Sequence, residues 1–486
     1  MDSLGSQKSF LNGIVWTLVE RFGVQGTSFL VNIILTRLLL PAQFGLIGMI
    51  AVFMAIGHAL IDSGLASSLI RTKNPDQTDY STVFFINLIG SLVVYGLIFL
   101  LAPVISSFYE QPVLVNLIRV YSLGFIVNAF TSIQQTRLTK ELKFKTQMQI
   151  RIPSTVMSGI VGIYLASNGW GVWSLVYMYL TNSILASIQF WFYSKWTPTF
   201  EFDLKRFVYH FSYGYKLTIS GLLNSIFSNV YHVVIGKLYS PVSLGYYTRA
   251  MMLQQQPVLN LSSALNKVTF PYFASIQDDN NVLRTAYKVI MQLVVFILAP
   301  LMAVSIVMAE SMIVFLFTDK WLPSVPYFQL MCLMGVMYPL QAYNLNILKV
   351  FGRSDLFLKL EIFKKSFTVI MLLITFKYGI FAIVVGQVVN SYISFVINSY
   401  YSGRFIKYST IEQIKNILPI LLIAGVMSGF VYILDTFLFI NIGVFIRLIL
   451  ALLLGVIFYI FIMHFIKLPS YLVIKSYVAR RFKFNI

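Results

Sequence analysis

Apolar runs of about twenty residues follow one another along the whole 486-residue chain, and nothing constrains its fold more. Each is near the length a helix needs to cross a hydrocarbon layer of about 30 Å. About fourteen can be placed, the first from near Phe10 to Leu38 and the last at about 439–466. The connections between them are short. The tightest, at Asn168-Gly169, is the one place where two spans risk merging into one. A strand-built barrel would show alternating segments of roughly ten residues instead. The expected fold class is therefore all-α and polytopic, each helix satisfying its own backbone hydrogen bonds. Charged residues make up only 11% of the chain, too few to cover a soluble protein of this size. The same scarcity excludes disorder. The single cysteine, Cys332, excludes an intramolecular disulfide.

The formal charge is +19, and its placement sets a topology. With the N-terminus in the cytoplasm, 24 basic residues fall in inner loops and tails and 4 in outer loops. That bias favours N-terminus and C-terminus both cytoplasmic and an even number of spans. Arg151 is counted among the inner-loop bases. The basic stretch 469–486 then reads as a cytoplasmic tail beside anionic lipid, and no nucleic-acid partner is expected.

A shift of 200 residues brings two segments into register. Leu35 to Gly45 lies over Ile235 to Gly245, sharing Arg37/Lys237, Leu38/Leu238, Pro41/Pro241 and Gly45/Gly245. In both, the Pro ends one helix and opens the next. Six spans separate the copies, so both enter the membrane from the same side, which is the pattern of a parallel repeat. The expected organisation is an N-lobe at 1–200 with spans one to six and a C-lobe at 201–405 with spans seven to twelve. Spans thirteen and fourteen follow at 406–468, then the tail at 469–486. Two such lobes are expected to leave a cleft between them.

Charges inside spans are costly and must face protein or water. The first span carries Thr17, Arg21, Gln25, Ser28 and Asn32 at spacings of three and four, one continuous stripe on a helix, with Glu20 beside it. Span seven repeats the stripe with Lys216, Ser220, Asn224, Ser228 and His232. Span eight has Arg249, Gln256, Asn260, Ser263 and Lys267, and span two offers His58 and Asp62 one turn apart. The bland alternative is that such residues only join helices by hydrogen bonds. Glu20 would then neutralise Arg21, and Lys364, Lys365 and Arg447 would reach to the interface. His210 and His464 read as interfacial. Spans nine, thirteen and fourteen are nearly all apolar and read as lipid-facing scaffold. Within the spans bases outnumber acids, eight to three, so a polar cleft here would receive an anion such as a phosphate, a pyrophosphate or an acidic sugar. No nucleotide-binding loop, metal-spaced cluster or catalytic motif stands out, so no enzyme, catalytic residue, metal or bound cofactor is expected.

Several stretches resemble a known family. Trp16 to Gln25 (WTLVERFGVQ), Leu38 to Leu46 (LLLPAQFGL) and Ile61 to Gly64 (IDSG) are followed by Tyr80 to Phe84, Leu142 to Lys145 and Gly171 to Leu175. Leu244 to Arg249 (LGYYTR), Phe270-Pro271 and Gly352 to Leu356 continue the series. Taken in order over about residues 10–365, they resemble the Wzx-type polysaccharide flippases, on the colanic-acid-exporter-like branch of the MOP superfamily. The resemblance implies a bacterial inner-membrane protein with alternating access. The implied cargo is an undecaprenyl-pyrophosphate-linked oligosaccharide, moved from the cytoplasmic to the periplasmic leaflet for lipopolysaccharide, capsule or exopolysaccharide synthesis. It also implies a cavity lined by spans one, two, seven and eight, coupling to a proton or sodium gradient, and a polysaccharide polymerase and chain-length machinery as partners.

The expected roles follow. Arg21, Lys216, Arg249 and Lys267 hold the pyrophosphate, and Gln25, Asn32, Asn224, Gln256 and Asn260 meet sugar hydroxyls. Asp62 and Glu20 serve ion coupling, and the lipid tail stays in the bilayer. Two rivals stay open: a multidrug exporter of the same superfamily, expected to have about twelve spans and an acidic pocket, and a polysaccharide polymerase or ligase, expected to carry a long periplasmic loop.

Overall fold

The computed structural model describes residues 2–61, 64–467 and Tyr471, and the side chains of all of these except 2–12, 14 and 264. Asp62 and nearly all of the basic tail therefore lie outside the described residues. Among the described residues the chain is helical and has no strand. The helices are α1 (Asp2–Leu38), α2 (Pro41–Ile61), the short α3 (Leu65–Arg71), α4 (Gln77–Tyr109), α5 (Leu114–Tyr121), α6 (Leu123–Lys140), α7 (Phe144–Ser167), α8 (Val172–Ser194) and α9 (Leu204–Leu238). There follow α10 (Pro241–Ser275), α11 (Asn280–Val307), α12 (Ala309–Phe317), α13 (Val325–Gly335), α14 (Met337–Val350), α15 (Ser354–Thr375), α16 (Gly379–Phe405), α17 (Thr410–Ile433) and α18 (Val444–Ile466).

The fourteen expected spans map onto these helices once α2/α3, α5/α6 and α13/α14 are each taken as one span broken partway and the nine-residue α12 is left as part of the connection after α11. The turn after Ser167 does separate the fifth span, α7, from the sixth, α8. Among the described residues, nine helical stretches are long and apolar enough to cross a membrane. One of these, Ser354–Phe405, contains both α15 and α16.

Helix starts follow local chemistry. Pro41 and Pro241 open α2 and α10, where a missing N–H costs nothing. Asp76 and Asp79 form a capping box at α4, as do Ser409 and Glu412 at α17. Asp203 and Asp279 cap α9 and α11 with their carboxylates.

The chain divides into two compact units, Met1–Gly245 and Tyr246–Ile486. In the first, α1 runs along α7, α7 along α8, and α6 packs on α8 and α4. Helix α9, the first span of the second repeat copy by sequence, packs within this unit on α2, α3 and α4. Gly64, at φ +64°, makes the break between α2 and α3, and its Cα faces the backbone of Gly214 on α9 so closely that a side chain would collide. The linker before α9 is tied down as well: Trp196 is buried with Leu65, Leu69, Val83, Phe84 and Ile133, and donates to Gln77 Oε1 at 2.6 Å.

The second unit is built around α11, which packs on α17, α13 and α18. Its residues Leu283, Tyr287, Met291, Val294, Val295 and Leu298 are essentially sealed. This corrects the reading of span nine as lipid-facing scaffold: its apolarity serves a protein core. Helix α18 buries only Ala451, Gly455, Tyr459 and Met463, four residues apart on one face, and leaves the rest open to its surroundings. Tyr459 Oη fixes that face by donating to Phe296 O at 3.2 Å.

Candidate functional site

Within the first unit a cavity of about 940 Å³ opens among α2, α3, α6, α7, α8 and α9. That size suits a small-molecule or headgroup site. One wall is a stripe on α6, where Asn128, Thr131, Ser132, Gln135, Thr136 and Thr139 recur every three or four residues. Asn182 and Ser183 of α8 and Thr218, Asn224 and Ser225 of α9 line it as well. Amides and hydroxyls thus make up half of the lining residues, and they can both donate to and accept from a sugar; Ala, Ile, Leu, Gly and Phe side chains supply most of the rest.

Among the described residues two titratable side chains line it, Arg151 and His58. From its sequence Arg151 is expected in an inner loop. Helix α7 begins at Phe144, however, and carries Arg151 two turns in, onto the cavity wall. Its Nε lies 3.2 Å from Glu20 Oε1, and its guanidinium stands 5.8 Å from the centre of the Phe190 ring. His58 Nε2 and Tyr179 Oη are 3.2 Å apart and share a hydrogen bond. Asn128 donates to the same hydroxyl at 3.1 Å, and Tyr121 stacks flat on Tyr179 at 4.2 Å.

Glu20 does not neutralise Arg21. The α1 seam against α7 runs through Gly13, facing Phe144; Gly23, facing Ile152; and Val31, facing Gly159. Glu20 lies on this seam. The stripe of Thr17, Arg21, Gln25, Ser28 and Asn32 is turned roughly 110° away from it at 100° per residue. On that stripe Arg21 and Gln25 are half-buried, and Gln25 Oε1 has no hydrogen-bond partner among the described residues. Asn32 folds back to donate to Ser28 O at 2.8 Å. On α9, Asn224 reaches the cavity, whereas Lys216 is exposed and is not among its lining residues.

The remaining expected residues belong to the second unit. Arg249, Gln256 and Asn260 are half-buried on α10, and Lys267 is exposed. From Arg249 to Lys267 the row extends about 27 Å along the helix.

A second polar cluster had no counterpart in the sequence reading. His210 is fully buried and not interfacial. Its Nδ1 lies 2.8 Å from Ser68 Oγ on α3 and its Nε2 3.4 Å from Asp79 Oδ1 on α4. Arg206, one turn earlier on α9, meets Asp79 at 3.0 Å and also pairs with Asp76. The Asp79 amide, followed by the Arg206 guanidinium, holds the Asp76 carboxyl below the usual carboxylate range. Charges elsewhere in the spans are also placed: Arg447 pairs with Asp435, Lys364 with Glu361, and Arg119 lies over the Phe99 ring at 4.1 Å.

A many-helix membrane protein with a polar cavity inside one unit defines the class of molecule: a multi-pass membrane protein built to hold a hydrophilic group. Residues 34–326, more than half of the chain, match the family described as polysaccharide biosynthesis protein, and the chain belongs to that family. It is 25% identical over 354 residues to the teichuronic acid biosynthesis protein TuaB of Bacillus subtilis, covering 72% of this chain and 73% of that one. It is 26% identical over 357 residues to the lipopolysaccharide biosynthesis protein WzxC of Escherichia coli, covering 73% and 72%. The fold is that of the lipid II flippase MurJ in an inward closed conformation, with a TM-score of 0.75 at 16% identity over 93% of this chain and 99% of that one. An inward-facing multidrug resistance MATE family transporter of the MOP superfamily aligns with a TM-score of 0.61 at 18% identity, covering 82% of this chain and 100% of that one. The family expected from the ordered motifs is therefore the family found.

Proposed function

We propose that this protein is a flippase for a lipid-linked oligosaccharide in bacterial surface-polysaccharide synthesis. The observation that carries the reading is the cavity in the first unit, half of whose lining residues carry an amide or a hydroxyl, in a chain of the polysaccharide biosynthesis family. The amides and hydroxyls of such a wall replace hydrogen bonds that a glycan headgroup gives up to water, while an apolar lipid tail stays in the bilayer. The relatives' names point the same way: lipopolysaccharide and teichuronic acid biosynthesis, and the succinoglycan biosynthesis transport protein ExoT of Rhizobium meliloti.

In this reading the chain sits in the bacterial inner membrane with both termini cytoplasmic, as the excess of basic residues in the inner loops supports. Its cargo is an undecaprenyl-pyrophosphate oligosaccharide, passed to the periplasmic leaflet by alternating access between lobes at 1–200 and 201–405. Arg21, Lys216, Arg249 and Lys267 meet the pyrophosphate in succession rather than together, since Arg249 and Lys267 stand about 27 Å apart along α10, and Gln25, Asn32, Asn224, Gln256 and Asn260 meet sugar hydroxyls. A proton or sodium gradient supplies the drive through Asp62 or Glu20, and a polymerase with its chain-length machinery receives the product.

The test is direct. Vesicles carrying the purified chain and a fluorescent lipid-pyrophosphate sugar should move it between leaflets, and protein-free vesicles should not. In cells, reversing the charge of Arg21 and of Arg249 should abolish surface polysaccharide with the protein still in the membrane. Normal export in both variants removes the assignment.

A further inference from the structure

Resting on the transport reading for the class of cargo, we infer that Arg151 forms an acidic-sugar subsite in the first unit, and that Glu20 occupies it until a cargo carboxylate takes its place. Among the described residues lining the cavity Arg151 is the one cation, and neutral donors and acceptors including Asn128, Gln135, Asn182 and Asn224 line it too. It is not locked away: its side chain is 38% exposed, whereas Glu20, on the α1–α7 seam, is 17% exposed. The pair is held through Arg151 Nε at 3.2 Å. A guanidinium carries five N–H donors in a planar fork that matches a carboxylate two bonds at a time. A sugar carboxylate arriving from the cavity therefore offers Arg151 the same chemistry as Glu20, with amides alongside for the ring hydroxyls. Exchange of one carboxylate for another keeps Arg151 paired, and the released Glu20, which would otherwise be a stranded charge on the seam, takes a proton from solvent. A neutral sugar has nothing with which to displace Glu20.

Binding is measured on the purified full-length chain in nanodiscs at fixed ionic strength, from ligand-dependent shifts in thermal unfolding. The probes are glucuronate, glucose and inorganic pyrophosphate, each titrated into the millimolar range. Glucuronate should raise the melting temperature more than either of the others. Glu20→Gln removes the competing carboxylate and keeps the side-chain shape, and should strengthen glucuronate binding about five-fold, the scale of one partly exposed ion pair. Arg151→Gln should abolish the glucuronate response.

An unchanged glucuronate affinity in Glu20→Gln overturns the exchange. A glucuronate response that survives Arg151→Gln overturns the subsite, as does the absence of any response in both wild type and Glu20→Gln. A pyrophosphate response equal to or larger than that of glucuronate assigns the cation to phosphate instead. Should Arg151→Gln not fold, the Glu20→Gln result decides alone. None of these measurements needs flipping: a failed vesicle assay with the binding pattern intact removes the flippase reading only, and the converse removes the subsite only.

Discussion

Gly45 and Pro241 stand in backbone contact: a Cβ on Gly45 would lie 1.7 Å from the Pro241 carbonyl oxygen. The relationship is reciprocal, since a Cβ on Gly245 would lie 2.0 Å from the Pro41 oxygen. All four residues are in the first unit and occupy the matching turns of the 200-residue repeat. Residue i meeting j′ while i′ meets j is the signature of a local two-fold relation. The first turns of α2 and α10 approach this closely only because neither glycine has a side chain. Either Gly→Ala change pushes a methyl group into a carbonyl that no rotamer can clear, so each should destabilise the chain by about 3 kcal/mol or more. Gly96, inside α4 with open space around its Cα, should accept Ala within about 1 kcal/mol. Thermal unfolding of the three variants in detergent decides it. Equal melting temperatures would deny the contact.

His210 should behave as a core residue. His210→Ala empties a sealed site and leaves Ser68 and Asp79 short of a partner, at a cost of about 2–4 kcal/mol. His210→Phe keeps the volume and loses the hydrogen bonds, and should still cost about 1–3 kcal/mol. Were the ring exposed at an interface, both changes would fall within about 0.5 kcal/mol of wild type. Denaturation of the two variants separates these outcomes.

The span count was legible because crossing a bilayer demands about twenty apolar residues, and few other folds repeat that length so often. The paired Pro-to-Gly turns were legible because proline at a helix start and glycine at a close approach are both forced by backbone geometry. The environment of a span was not. Helix α11 and helix α18 are both apolar, yet the first seals a broad face in protein and the second is largely open. Hydropathy cannot tell lipid from a protein core. Arg151 was missed because the polar run Lys143 to Arg151 looks like a loop, whereas α7 has already begun at Phe144. The partner of Glu20 was missed because sequence neighbours on a helix point about 100° apart. Glu20 and Arg21 therefore face different surroundings, and the acid meets a base 131 positions along the chain. The cluster around His210 needs α3, α4 and α9 together, and no spacing along the chain announces that.

Asp76 gives a pH-dependent prediction. Its Oδ1 accepts the Asp79 N–H at 2.9 Å and it pairs with Arg206, so its folded pKa lies below its unfolded one. The folded state thus favours the ionised carboxyl. The stabilisation is complete above about pH 4 and is lost as pH falls through the depressed folded value. Asn also caps helices well, so Asp76→Asn isolates the charge. The side chain is 53% exposed, which limits the effect to about 1 kcal/mol at pH 7. The gap between the two melting curves should narrow below about pH 4. A gap that stays constant down to pH 3 would show that the charge contributes nothing.

Arg447 and Asp435 should be strongly coupled. Arg447 lies in the first turn of α18, Asp435 follows the end of α17, and their side chains are 23% and 11% exposed. Both charged ends of the guanidinium fork meet the carboxylate. The sequence reading sent Arg447 to the membrane interface alone, where its removal would be silent. As a partly buried pair it behaves differently. Asp435→Leu strands a cation and Arg447→Met strands an anion, each at a cost approaching the roughly 3–5 kcal/mol seen when one member of a buried pair is removed. The double replacement strands neither, and an apolar pair of similar volume is often no less stable than the ions. The double variant should therefore be more stable than either single one, with a coupling of at least about 1 kcal/mol in a double-mutant cycle. The cycle is measured by denaturation of the detergent-solubilised chain, and the tilt of α18 against α17 is followed by cross-linking between engineered cysteines. Strictly additive single effects would mean that the two charges do not hold α18 to α17.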